Sequence, residues 1–451
     1  MRTLFLWIAV CWSSLLSAQE IVTLECRVSD RIFLNQEKKI TLYEVNKGKL
    51  QEKAWGRYGK DGYFAFCFQP SYSGFYMIGD KRRFCYPVWL EPGQKAVVRI
   101  DEEGGHLDGK RNTPENKILY EWVGLSRPVG LAVRGWGDPE STFQDFFREL
   151  EAFVPVAEAY KERLHTGNSR FDELMRYYVD RQLDHYAIRY LLTGKPVGYV
   201  WPKEEDYSPY YSTILSAEKF RDTLVFSLPD GFGMLEDYVS FAARKQGSAM
   251  LEKCECIACP ALRAEILLSQ MERIASVFQF RKVLNTNREL FTAAQQKWAE
   301  DRLKVLMEQT RQQTTVDFTF PDVEGKPVSL SDYRGKVVLV DIWATWCSPC
   351  RAELPHLKKL EEEMENTDLV VIGVSVDVRK NYDKWKKMVD DGEVKGIQLF
   401  ANGGKQLCKD YGVNGIPRFI VFDREGKVAE AAAPRPSNPD LKELLNELLK
   451  R

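Results

Sequence analysis

The stretch VVLVDIWATWCSPC, residues 337–350, limits what this chain can fold into more than any other. From Val337 to Trp343 every residue is apolar except Asp341, the composition of a buried strand. Cys347 and Cys350 follow, and the residues after them, CRAELPHLKKLEEEMEN, read as a helix. A CxxC at a helix start places the Cys347 sulfur near unpaired backbone N–H groups and the positive end of the helix dipole. Both favour thiolate over thiol, so its pKa is expected below the ordinary cysteine value of about 8.5. Pro349 suits the first turn, where no backbone donor is lost. Cys347 is therefore the expected nucleophile, and Cys350, one helical turn on, the thiol that resolves a mixed disulfide. The competing readings are a static disulfide or half a zinc site. No second CxxC or His pair lies nearby to complete a tetrahedral metal set, so no metal is expected.

A lone carboxyl on a buried strand is costly when ionised. The pKa of Asp341 should be raised, allowing proton exchange near neutral pH. Around the motif, DLVVIGVSVD, PRFIVFD and KVAEAAA read as strands and alternate with helical stretches, which makes an α/β domain.

The stretch FTFPDVEGKPVSLSDYRGKVVLVDIWATWCSPCRAELPHLKKL, with GIPRFIVFD further on, resembles exported bacterial thiol–disulfide oxidoreductases of the TlpA/ResA type, over about residues 316–451. The resemblance implies a thioredoxin fold. It makes Asp341 similar to the buried general base that serves Cys350, although VVIGVSVD offers no match for the lysine that often partners this acid. It makes Glu353 similar to a glutamate near the active pair; the alternative for Glu353 is a solvated helix residue. Ile416 and Pro417 match the cis-proline loop, which implies backbone pairing with an extended substrate strand and hence broad substrate use. Trp346 is expected on the contact surface and Trp343 in the packing. Protein or peptide disulfides are the implied substrates, a membrane-embedded thiol donor the implied partner, and no cofactor is implied. A proline before the second cysteine resembles the reducing members of the fold. An oxidase or isomerase would use the same residues. A peroxidase of related fold expects Thr three residues before its cysteine, where this chain has Ala344.

At 451 residues the chain needs several cores. Residues 1–18 read as a signal peptide, which implies the periplasm, or a membrane anchor if it stays uncleaved. Residues 19–110 carry short β-type runs between turns, suggesting an N-terminal antiparallel β-sandwich. Residues 111–313 have helical periodicity and form a central α-helical region, with capping-box spacing at Ser141 and Gln144 and a cap expected at Asn287. The polar RQQTT, 311–315, reads as the linker to a C-terminal thioredoxin fold at 314–451. A net charge of -1 supports neither nucleic acid nor an anionic membrane as partner. Cys67 and Cys85 are candidates for a structural bridge. Cys254, Cys256 and Cys259 leave three readings open: a soft-metal site, a local disulfide, or unpaired buried thiols. Cys408 reads as core. For the first two regions the open roles are presenting the redox domain, binding a protein or other ligand, and homodimerisation through the helices.

Overall fold

Alternation of apolar and polar residues sets the first strands. The computed structural model describes residues 20–32, 39–57, 62–81, 84–133, 141–193, 200–216, 218–246, 254–313 and 315–451, so the leader expected at 1–18 lies outside the described residues. The chain divides into two compact units, Met1–Ile266 and Leu267–Arg451. The division precedes the polar linker expected at 311–315.

In the first unit the strands are β1 (Val22–Val28), β2 (Lys39–Asn46), β3 (Lys49–Arg57), β4 (Tyr63–Phe68), β5 (Gly74–Asp80), β6 (Phe84–Leu90), β7 (Lys95–Asp101) and β8 (Gly104–Leu107). They form two four-stranded sheets, ordered β4-β1-β7-β8 and β3-β2-β5-β6. β1 buries Val22, Leu24, Cys26 and Val28, the period-two face that its sequence dictates. The expectation of wholly antiparallel strands needs correction at one pair: β1 runs parallel to β7, with Val28 opposite Ile100. Alternation fixes which face a strand buries and says nothing of its partner's direction. A parallel pair needs a long crossover, and five strands intervene here. Cys67 and Cys85 stand on β4 and β6, in different sheets. Cys67 is exposed and in no disulfide, so the bridge expected between them is not formed.

Helices α1 (Pro114–Val133), α2 (Phe143–Glu162), α3 (Ser169–Leu192) and α4 (Gly231–Gln246) follow. Buried Asn116 pins α1 to β6 by accepting from the Trp89 N–H and donating to the Trp89 carbonyl, both at 2.8 Å. Phe171 and Tyr178 of α3 pack on Phe75 of β5, with ring centroids 6.5 and 5.4 Å away, which accounts for the almost unbroken burial of that strand. The aromatic stripe of α2 is core: Phe146 stacks on Tyr190 at 3.7 Å and Phe153 on Trp122 at 5.5 Å. The capping box at α2 is Thr142 with Asp145, one residue on from the expected pair.

The helix α5 (Pro260–Met271) spans the division, and α6 (Val277–Thr286) and α7 (Ala293–Gln312) belong to the second unit. The hairpin β9 (Thr319–Pro321) and β10 (Pro327–Ser329) precedes β11 (Val337–Trp343), α8 (Ser348–Glu363), β12 (Leu369–Ser375), α9 (Tyr382–Asp390), β13 (Ile397–Phe400), α10 (Lys405–Asp410), β14 (Arg418–Phe422), β15 (Val428–Glu430) and α11 (Pro439–Leu449). The five-stranded sheet is ordered β13-β12-β11-β14-β15, with β11, β12 and β13 parallel and the last two strands antiparallel. All seven residues of β11 are buried, as a central strand covered on both faces requires. One face packs on Phe318, Leu407 and Tyr411, with Cys408 at its margin; the other packs on Leu357, Leu360, Leu441, Leu445 and Phe278 of α6. The C-terminal end of β11 runs straight into the CxxC.

Candidate active site

The turn between β11 and α8 is built around its polar groups. Asp377, fully buried just after β12, accepts from the Thr345 N–H at 2.8 Å, the Thr345 hydroxyl at 3.0 Å, the Ser375 hydroxyl at 2.8 Å and the Asn381 amide at 3.1 Å. Those bonds fix Ala344-Thr345-Trp346 and aim the chain into α8. Cys347 is the N-cap: its Sγ accepts the Cys350 N–H at 3.2 Å, one of the donors a helix start leaves unpaired. Pro349 occupies the first turn. Cys347 and Cys350 form a disulfide with Cα atoms 5.3 Å apart, and among the described residues it is the one disulfide.

The pair is shielded. Cys347 is 4% exposed and Cys350 2%, while Trp346 beside them is 62% exposed and Trp343 is buried. Ile416-Pro417 is a cis peptide bond, and the Ile416 carbonyl oxygen lies 3.8 Å from Cys347 Sγ. Cys347, Cys350, Trp343, Trp385 and Phe400 share one apolar cluster, with Ile416 packed against it.

Asp341 is 3% exposed, and its Oδ1 has no hydrogen-bond partner. Burial pushes its carboxyl up to about 8, with the charges of Glu353 and Glu361 adding to the rise. Glu353 is buried and not a solvated helix residue. It accepts from the Ser437 N–H and hydroxyl, each at 2.9 Å, with Arg435 4.0 Å away. Glu361, two turns further along α8, is half-buried, and burial raises its carboxyl to about 7.

Asp377, Ser437, Glu361 and Gln398 are absent from the set legible in the sequence. Asp377 had one signal, a lone acid ending the apolar run VVIGVSV. The other three look like ordinary surface residues until the fold brings them inward. Cys254 is buried, and burial raises its thiol to about 12, an unreactive value. Its loop holds no disulfide, and the three thiols of Cys254, Cys256 and Cys259 do not converge within ligand distance. Among the described residues the cluster that does converge is Asp101, Glu103 and His106, half-buried to exposed, and Asp101 already pairs with Arg99 at 3.2 Å.

Residues 312–431 match the AhpC/TSA family. The thiol–disulfide oxidoreductase ResA of Geobacillus thermodenitrificans is 29% identical over 136 residues, 30% of this chain and 76% of that protein. The thioredoxin-like protein YneN of Bacillus subtilis is 30% identical over 118 residues, 26% of this chain and 68% of that protein. Among solved structures, the thioredoxin domain of a Bacteroides vulgatus thiol–disulfide oxidoreductase is 32% identical, covering 30% of this chain and 94% of its own, with a TM-score of 0.27. A helix-capping CxxC at the end of a buried strand, a buried acid behind it and the identities to ResA and YneN agree: the chain belongs to the thioredoxin-like thiol–disulfide oxidoreductases.

Proposed function

We propose that this chain is an exported reductase of protein disulfides. The observation that carries the reading is the position of Cys347 Sγ. It caps a helix, accepts a backbone N–H, lies next to the Ile416 carbonyl and adjoins the exposed Trp346. The helix end favours the thiolate in the reduced protein. That thiolate attacks one sulfur of a substrate disulfide, the substrate S–S bond breaks, and one substrate thiolate leaves. Asp341 takes the proton of Cys350. The Cys350 thiolate then attacks Cys347, expels the second substrate sulfur and closes the disulfide. Two electrons have passed to the substrate, and a membrane-embedded thiol donor returns them.

Ile416 and Pro417 hold an extended substrate segment through its backbone, and Trp346 supplies apolar contact. Glu353, held by Ser437, faces Asp341, and its carboxyl adds to the rise that keeps the proton on Asp341. Ser348-Pro349 between the cysteines supports the reducing direction, and the apolar leader at 1–18 supports a periplasmic site. The first unit, its two sheets stacked as a sandwich, binds substrate proteins or dimerises through its helices.

Trapping tests the assignment. In a Cys350→Ser variant, substrates accumulate as mixed disulfides on Cys347. Equilibration with glutathione sets the direction: a reductase lies near the thioredoxin value of about -270 mV, a strong oxidant near about -120 mV. An empty trap, or a potential at the oxidising end, overturns the proposal.

A further inference from the structure

Three oxygens behind the disulfide have no hydrogen-bond partner among the described residues. Asp341 Oδ1, Gln398 Oε1 and Glu361 Oε1 are each closed off from solvent and accept no hydrogen bond. All three residues line one narrow cleft, with Trp343, Leu354, Leu357 and Lys358 among its walls and room for about one water molecule. Two glycines make the space. Gly373 stands between Asp341 and Gln398 in the register of β11, β12 and β13, and a Cβ there would meet Gln398 Oε1 at 2.3 Å. A Cβ on Gly396 would meet Glu361 Oε1 at 2.5 Å. Gln398 Nε2 donates to the Lys395 carbonyl at 2.6 Å, which leaves its oxygen for the cleft. Val394 and exposed Lys395 join the lining, so the cleft has buried Asp341 at its inner wall and the exposed Lys358 and Lys395 at its outer one.

A base buried in the core must pass on each proton it accepts, and Asp341 Oδ1 is itself closed off from the surface. We propose that Glu361 is the outer carboxyl of a two-acid proton path, through which the proton that Asp341 takes from Cys350 crosses the cleft, past Gln398 Oε1, to solvent. The inference rests on the reductase reading above. In balance, the electron pair of the Cys350 sulfur forms the bond to Cys347 and the pair of the broken bond leaves on the substrate sulfur. That sulfur takes a proton from water, and the Cys350 proton travels by Asp341 and Glu361. Burial brings Asp341 to about 8 and Glu361 to about 7, so transfer between them is close to level in energy. The other charges facing the pair are Glu353 towards Asp341, Lys395 and Glu362 towards Glu361, and Lys358 at the mouth.

Glu361→Gln in the full chain tests the path. The probe is a nitrobenzoate aryl disulfide, which releases one coloured thiolate on attack by Cys347 and a second on resolution by Cys350. In Glu361→Gln the attack phase keeps the wild-type rate, which also shows that the variant folds. Its resolution phase slows by about tenfold near neutral pH, short of the roughly 10²–10⁴-fold expected for loss of the base itself. The pH profile of resolution loses one inflexion. The remaining one moves down, because a negative neighbour of Asp341 is gone. Glu363→Gln, exposed on the same helix and paired with Lys442, behaves as wild type. A Glu361→Gln resolution phase that tracks wild type at every pH overturns the path and leaves the reductase reading standing. A wild type that releases no thiolate on attack sinks that reading, and the path with it.

Discussion

Asp341 concentrates the conflict between stability and chemistry in one side chain. Unfolded, its carboxyl ionises near the ordinary 3.8; folded, it keeps its proton to about 8. Between those values the unfolded chain binds fewer protons than the folded one, so the contribution of Asp341 to stability falls as pH rises. It is fully present below about pH 4 and lost through about pH 8. Asp341→Asn has no such dependence. With about 1.4 kcal/mol per pKa unit, the variant gains on the wild type by on the order of 5 kcal/mol across that window. Urea unfolding of the oxidised protein at pH 4, 6 and 8 measures the gap. A gap that stays constant with pH would show that Asp341 ionises normally in the fold. The same substitution should slow resolution by Cys350, so the variant is stabilised and impaired by one cause.

At the scale of elements, the active-site turn depends on a carboxylate from another strand. Asp377 gathers four donors, two of them from Thr345; those of Thr345 and Ser375 are buried and that of Asn381 is partly so. Asp377→Ala leaves those donors unpaired, at a cost of about 3 kcal/mol or more. Amide exchange at Thr345 should rise along with the drop in unfolding free energy; exchange unchanged from wild type would mean that the turn is held by packing alone. Elements of this kind show how far the sequence could be read. Burial of β11, the isolation of Asp341 and the place of Pro349 follow from local composition and were legible. Helix starts were legible to within a few residues: the box at α2 is Thr142 with Asp145, where Ser141 with Gln144 had the spacing, and Asn287 stands at the start of a short 3-10 turn, Arg288–Leu290, while α7 begins at a box of Thr292 with Gln295. A capping pair depends on where the chain turns, and several Ser, Thr and Asn side chains compete for that job. Asp377, Ser437 and Gln398 were illegible because their partners lie 32, 84 and more residues away, or across a strand that only the sheet register supplies.

At the scale of the whole molecule, the polar run RQQTT adjoins the start of the family match at 312, while the compact unit that holds the redox site begins at Leu267. Two helices ahead of that run, α6 and α7, fall inside this compact unit. Phe278 is part of the core cluster of Val337, Leu339 and Leu441. Glu430, buried at the end of β15, accepts from the Ser276 hydroxyl at 3.2 Å and from the Val277 and Phe278 N–H groups at 3.2 and 3.0 Å, capping α6 from 152 to 154 residues away in sequence. Burial pushes that carboxyl up, and the hydrogen bonds pull it partly back. A fragment beginning at 314 keeps every active-site residue but loses both devices. Exposure of the Phe278 pocket costs roughly 2 kcal/mol, and a buried Glu430 without its donors about as much again. Residues 267–451 are therefore expected to unfold in one cooperative transition with full exchange activity. Residues 314–451 should be less stable by about 4 kcal/mol, with Cys347 chemistry intact at low denaturant. Equal urea midpoints for the two fragments would place α6 and α7 outside the redox unit and return the boundary to the polar run.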